Sequence, residues 1–226
     1  NGFSSLAESV IALSNLEGLE AHKRSVEERL TSLNVTASND FIIRETKETS
    51  IYCSVNVQGT GLYEIDTGIK FLDHMLEQLA RNSSFDIYLK CKGDINVDTH
   101  HTIEDVSIVL GEAINKNLGN RDGITRYADI SLVMDECKAN ATIDLCSRTN
   151  LKLTLPKMLP YVGDFPSEML FHFIDSFVKN AQFTCHLKIA GENTHHIIET
   201  TFKALGQALK QAVGYSALPS STKGIL

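Results

Sequence analysis

The sequence has no tryptophan, only four prolines, and no C-x-x-C pair among its five cysteines. Each scarcity excludes a class. With little proline and 42% hydrophobic residues, the chain is neither a disordered tract nor a collagen-like rod. Five scattered cysteines, Cys53, Cys91, Cys137, Cys146 and Cys185, are odd in number and do not form a disulfide framework, so they read as reduced core or strand residues. There is also no excess of basic charge. Lys and Arg total 21 against 28 Asp and Glu, a net charge of -7, so no global field draws in phosphate backbones or anionic lipid, and neither nucleic acid nor membrane is an expected partner. No apolar run approaches the roughly 18 to 20 residues that cross a bilayer. No apolar segment behind a basic start resembles a signal peptide. The chain begins at Asn1 without methionine, as a trimmed start would. A cytoplasmic protein is expected, or a plastid one if a targeting segment has been removed.

What is present, within 226 residues, is one domain's worth of chain behind an extension. Residues 1–40 place Leu6, Val10, Leu13, Leu16 and Leu19 at helical spacing between glutamates, which predicts an amphipathic helical or partly disordered extension. The domain is expected over residues 41–226. Within it, Ile51, Cys53, Val55 and Val57 alternate like a strand and run into the turn Gly59-Thr60-Gly61.

The most informative feature is an internal duplication: residues Phe71 to Gly119 lie over Met169 to Gly214. His100-His101, Ile103, Glu104, Leu110-Gly111, Ala113 and Gly119 correspond to His195-His196, Ile198, Glu199, Leu205-Gly206, Ala208 and Gly214. Each copy reads as helix, strand, helix. Hairpin strands around Ala139–Leu145 and Asn150–Leu155 are expected to precede the second copy as Ile51–Val57 precedes the first. The fold class is therefore α/β, an α+β sandwich of two repeats (about 41–122 and 123–214). Each repeat is a small mixed sheet covered on one face by two helices, and a tail follows at 215–226.

His-His-x-x-Glu opens the second helix of each copy, with Asp98 or Thr99 and Asn193 or Thr194 available as caps. His100 and Glu104 are four residues apart and share a helix face, as do His195 and Glu199. His101 and His196 lie about 100° round and must serve a second cation or another role. The first helices add His74 and His172 at matching places, so six of the eight histidines stand in duplicated positions. A lone histidine reads as a hydrogen-bonded core residue. Six in a repeated pattern with two glutamates read as two metal sites built between the copies, and imidazole and carboxylate without thiolate suit Mn, Fe, Co or Zn. A zinc protease would need its glutamate inside H-E-x-x-H or H-x-x-E-H, and neither occurs here. His186, on the polar side of its strand, and His22, in the extension, read as solvated.

The chain resembles the imidazoleglycerol-phosphate dehydratase family of histidine biosynthesis. The resemblance is carried by Arg44-Glu-Thr-Lys-Glu-Thr49, Gly68-Ile-Lys-Phe-Leu-Asp-His-Met-Leu76, Asp98-Thr-His-His-Thr-Ile-Glu-Asp105, Met134-Asp-Glu136, Glu192-Asn-Thr-His-His-Ile-Ile-Glu199 and Ser220-Ser-Thr-Lys-Gly224. It implies a carbon–oxygen lyase that uses two Mn²⁺ per subunit, at sites shared between the subunits of a 24-subunit homo-oligomer. The implied metal ligands are His74, His100, His101, Glu104, His172, His195, His196 and Glu199. The implied substrate contacts are Glu48, Gln78, Arg126, Arg148, Ser221 and Lys223. The forked donors of Arg126 and Arg148 suit phosphate oxygens, and Ser221 and Lys223 sit in a Ser/Thr/Gly tail suited to close over them. The implied reaction dehydrates imidazoleglycerol phosphate to imidazole acetol phosphate through a metal-bound imidazolate that expels the neighbouring hydroxyl. Glu48 is the first candidate to move the protons, with Asp135 and Glu199 behind it. The chain departs from the family pattern at Ala128, Val133 and the stretch Cys-Ser-Arg-Thr149, where the family has Gly, Pro and Ser-Gly-Arg-Pro. These departures are expected to touch loop geometry near the arginines. The alternative class is a metal-binding or storage shell without catalysis; a third reading is a phosphate-ester metallohydrolase, which would release free phosphate.

Overall fold

The computed structural model describes residues 41–217. The extension 1–40, with His22, and the tail residues Ser221 and Lys223 lie outside the described residues. The first half contains β1 (Ile42–Glu45), β2 (Thr49–Asn56), β3 (Tyr63–Asp66), α1 (Lys70–Ser83), β4 (Asp86–Gly93) and α2 (His100–Leu118). The second contains β5 (Tyr127–Met134), β6 (Cys137–Asp144), β7 (Asn150–Thr154), the short β8 (Tyr161–Val162) and β9 (Phe165–Pro166), α3 (Met169–Ala181), β10 (Thr184–Ala190) and α4 (Thr194–Ala212). The sheets run β1-β2-β4-β3 and β5-β6-β10-β7, the same order twice. In each, the last strand added is parallel to its neighbour and the other pairings are antiparallel. The duplication read from the histidines is thus a duplication of the whole α+β unit.

The helices follow from their apolar faces. Phe71, Leu72, Met75, Leu76 and Leu79 are buried along α1, and Met169, Leu170, Phe173, Ile174 and Phe177 along α3. Both helices stop at a left-handed residue, Ser84 (φ 59°) and Gln182 (φ 54°), before turning into their strands. Each sheet packs its inner face on the helices of its own half. Across the middle α1 packs on α4 and α2 on α3, so two sheets enclose two crossed helix pairs around one continuous core. Burying each large core side chain stabilises the fold by about 1.5–3 kcal/mol, which makes this shared core the dominant favourable contribution. The second half fills its share with rings: Phe173 lies 5.1 Å from Phe202, and Phe177 lies 5.9 Å from Phe183.

The duplicated glycines mark where the helix pairs touch. A Cβ on Gly111 would stand 2.7 Å from the Phe177 carbonyl oxygen, and one on Gly206 would stand 3.0 Å from that of Leu79. The backbones therefore meet, and only glycine fits the contact.

One expectation is corrected. The strands near 139–145 and 150–155 do not form a hairpin, because β10 lies between β6 and β7 and pairs with both, Cys185 facing Ile143 on one side and Leu151 on the other. The hairpin partner of β6 is β5, in which Ala128 pairs with Ile143 and Val133 with Lys138. Ala128 and Val133 accordingly belong to a strand rather than to the loops. The second half also carries an insertion, β8–β9, that the first lacks. Its Asp164 accepts the N–H groups of Lys70 (2.7 Å) and Phe71 (3.0 Å), supplying the cap that Ile69 cannot.

The cysteines lie as expected: Cys53, Cys137, Cys146 and Cys185 are buried and Cys91 is half-buried, all as free thiols. Burial pushes the Cys185 thiol up to about 12, so it is a packing residue rather than a nucleophile.

Among the left-handed residues, Ser147 (φ 61°) occupies the place where the resembling family has glycine. A side chain there opposes the conformation by about 1 kcal/mol. Ser147→Gly is expected to raise stability by up to about 1 kcal/mol, read as a higher melting temperature. An unchanged or lower melting temperature would show that the Ser147 position is not strained.

Candidate metal centre

The two crossings bring the duplicated histidines together, each time from both halves. His74 of α1 meets His195 and Glu199 of α4. Glu199 Oε2 lies 3.1 Å from His195 Nε2, and Glu199 Oε1 lies 4.0 Å from His74 Nε2; one donor atom from each of the three residues falls within 4.8 Å of the others. Phe71, 5.1 Å away edge-on, walls the His195 ring. At the other crossing His172 of α3 stands 5.3 Å from the His100 ring of α2, and His100 Nε2 is 3.7 Å from Glu104 Oε2. The second cluster is the more open of the two.

The helix starts aim these side chains. Asn193 caps α4 by accepting the N–H groups of His195 (2.9 Å) and His196 (3.3 Å). In the first half Asp98, one residue before the cap position, accepts the His100 N–H at 2.8 Å. Thr194 does not cap; its hydroxyl accepts the Leu159 N–H of the insertion at 2.8 Å.

His101 and His196 point off the shared face, as the 100° offset requires, and carboxylates hold both. Asp94 Oδ2 lies 3.1 Å from His101 Nδ1, and Glu136 Oε2 lies 2.9 Å from His196 Nδ1. A carboxylate only accepts, so Nδ1 carries the proton and the neutral ring presents a bare Nε2. These bonds raise both imidazole pKa values. The His196 bond, with the Asn193 N–H, lowers Glu136 to about 2. Opposite the bare nitrogens stand two of the candidate proton carriers. Glu48 Oε1 is 3.8 Å from His101 Nε2, and Asp135 Oδ2 is 3.8 Å from His196 Nε2.

Three residues beside the centre escaped the sequence reading. Asp94 has no local signal, and Glu136, though it stands in the motif Met134-Asp-Glu136, lies sixty positions before the ring it holds. Lys203 could have been found, one helical turn beyond Glu199, whose Oε1 it meets at 2.8 Å. Burial alone would raise the Glu199 carboxyl, but the Lys203 ammonium, with His74 and His195, outweighs it and holds the pKa below the usual value.

Gln78 sits half-buried one turn beyond His74 on α1. The arginines are elsewhere. The Arg126 N–H donates to the Ala212 carbonyl at the far end of α4 (2.8 Å), about 25 Å from His195 along the helix axis at ~1.5 Å per residue. Its guanidinium forks onto Asp144 (2.6 and 3.2 Å) over the Tyr127 ring. Arg148 follows on the same sheet end, where Thr184 donates to its carbonyl at 2.9 Å. One chain therefore brings the histidines together and keeps the arginines apart from them.

The donor chemistry suits a divalent cation. Each cluster combines imidazole nitrogens with a carboxylate and no thiolate. Two atoms each about 2.1 Å from one ion are at most about 4.2 Å apart, close to the spacing of the first cluster. The carboxylates behind His101 and His196 are the outer partners that usually orient metal-binding imidazoles. Among the described residues, no helix is long and apolar enough to cross a membrane.

Comparison with known proteins points to one family. The family profile described as imidazoleglycerol-phosphate dehydratase matches residues 67–209. The chain is 45% identical over 190 residues to the imidazoleglycerol-phosphate dehydratase of Azorhizobium caulinodans, covering 82% of this chain and 96% of that one. It is 42% identical over 189 residues to the chloroplastic enzyme of Pisum sativum, covering 81% of this chain and 67% of that one. Among solved structures it is similar to the imidazoleglycerol-phosphate dehydratase of Pyrococcus furiosus, with a TM-score of 0.71 and 32% identity over 82% of this chain and all of that one. It is also similar to that of Staphylococcus aureus, with a TM-score of 0.70 and 29% identity over 78% of this chain and 99% of that one.

Proposed function

The chain belongs to the imidazoleglycerol-phosphate dehydratase family, and on that premise we propose that its paired His/Glu clusters dehydrate imidazoleglycerol phosphate to imidazole acetol phosphate with divalent cations of the Mn²⁺ type. Membership makes it a carbon–oxygen lyase, a hydro-lyase of histidine biosynthesis, and displaces the storage reading. The observation that carries the metal dependence is the convergence of His74, His195 and Glu199, repeated in looser form by His172, His100 and Glu104. His101 and His196, their bare Nε2 atoms facing Glu48 and Asp135, complete the set that would hold two cations. Such cations would make the ring N–H of a substrate imidazole more acidic and stabilise the charge that develops as its neighbouring hydroxyl leaves.

The chain's own groups do the rest. The proton on the carbon beside the leaving hydroxyl is not acidic, so a positioned base must take it and an acid must meet the departing oxygen. We assign that exchange to Glu48, whose carboxylate stands beside His101 Nε2. Asp135 occupies the corresponding place against His196, but 73% of its side chain is exposed on a turn. Glu199 is committed to His195 and Lys203, which suits a ligand better than a shuttle. Gln78, one turn from His74, is proposed to contact the substrate. Arg126 and Arg148 are proposed to hold the phosphate, with Ser221 and Lys223 of the tail. The arginines stand at the far end of α4 from the clusters, so the site is proposed to close between copies of the chain, in the 24-subunit assembly the family resemblance implies.

Activity is expected to disappear on chelation and to return with added Mn²⁺, assayed as formation of the acetol phosphate. No product under any condition, or release of free phosphate instead, would contradict the assignment. Light scattering on the active preparation is expected to show a closed assembly of about two dozen chains, whereas full turnover by a monomer would refute the shared site. Glu48→Gln is expected to lower turnover by about 100-fold or more with bound metal unchanged. Near-normal turnover would remove Glu48 from the role.

A further inference from the structure

We propose that Asp105, with Arg44 and Thr49, is the positioning device that fixes Glu48 for proton transfer, an inference that rests on the assignment of Glu48 above. Asp105 follows the cluster residue Glu104 and is buried, facing β1 and β2 rather than the histidines. Its two oxygens are taken separately: Arg44 Nε donates to Oδ1 at 2.9 Å, and the Thr49 hydroxyl donates to Oδ2 at 2.5 Å. Thr49 has spent its only proton, so the Thr46 hydroxyl is the donor between the two threonines, its proton shared between Thr49 Oγ1 at 3.2 Å and the Thr49 carbonyl at 3.4 Å. The lone pairs of Thr46 in turn accept the N–H groups of Glu48 (3.1 Å) and Thr49 (2.9 Å). On its other side the Glu48 carbonyl accepts the N–H of Asp94 at 3.0 Å, the residue that holds His101. The backbone of Glu48 is thus pinned at both ends, through a chain of bonds anchored on the helix that carries His100, His101 and Glu104.

The second half lacks this device. The residue after Glu199 is Thr200, whose buried hydroxyl has no hydrogen-bond partner among the described residues. There Asp135 sits at a left-handed turn residue (φ 49°), exposed. Two carboxylates face two equivalent histidine nitrogens at equal distance, and only that of Glu48 stands on a backbone tied through Thr46 and Thr49 to a buried carboxylate. Catalysis by proton transfer is sensitive to the placement of the base, and this network fixes the backbone from which the Glu48 carboxylate reaches His101.

The test is steady-state kinetics of Thr49→Val and Thr46→Val, with Thr49→Ser as the rescue, each in the otherwise native chain and in a Glu48→Gln background. Thr49→Val keeps the shape and the Arg44–Asp105 pair, and Thr46→Val changes an exposed residue, so folding is expected to survive in at least one of them. Both are expected to lower kcat by about 10- to 100-fold with KM and bound metal unchanged, and Thr49→Ser to restore most of it. Neither valine variant is expected to lower the activity of Glu48→Gln further. Normal kcat in both valine variants alongside an impaired Glu48→Gln would overturn the positioning role and leave the Glu48 assignment intact. A further loss in the Glu48→Gln background, or loss of metal with kcat, would also overturn it. An unimpaired Glu48→Gln would instead remove the assignment of Glu48 itself.

Discussion

Everything in this fold depends on two helix crossings close enough for backbone to touch backbone. Gly111 meets the Phe177 and Ala181 backbone, and Gly206 meets that of Leu79 and Ser83. At these crossings a side chain would push the helices apart, and the residues a few turns away at the helix starts would separate with them. Those residues are the histidines. The closeness of α1 to α4 sets His74 against His195 and Glu199, and that of α2 to α3 sets His172 against His100. Neither half could make a cluster alone, because each draws its first-helix histidine from one copy and its His-His-x-x-Glu from the other.

Around this frame the two halves have diverged where chemistry requires asymmetry. The first holds a carboxylate, Glu48, on a turn tied to Asp105. The second holds Lys203 against Glu199 and an insertion whose Asp164 caps α1. Two copies of one unit thus give a pseudo-symmetric pair of clusters flanked by unlike groups, which suits a substrate that is itself unsymmetric. The arginines extend the same asymmetry, since the Arg126 backbone is bonded to the far end of α4, about 25 Å along that helix from His195.

Repetition is what made the site legible. A single histidine pair carries little information, but matching letters at matching spacing in two segments picked out six histidines and two glutamates and their helical faces. Strands were less legible at the sheet edges. β3 and β5 have short or mixed patterns, and the β6–β7 hairpin was inferred from adjacency in sequence when the intervening β10 wins both pairings through its alternating Cys185, Leu187 and Ile189. Least legible were contacts between residues far apart in sequence. Asp94 on His101, Glu136 on His196 and Arg44 on Asp105 depend on the packed fold, and no local period announces them.

The most direct measurement is Mn²⁺ binding to Gly206→Val by isothermal titration, alongside its thermal melt and its dehydratase turnover. If the crossing assembles the cluster, the folded variant binds one class of Mn²⁺ at least about tenfold more weakly, keeps the other, and loses turnover in proportion. A folded Gly206→Val that binds Mn²⁺ and turns over substrate as the unaltered chain does would contradict the account at its base.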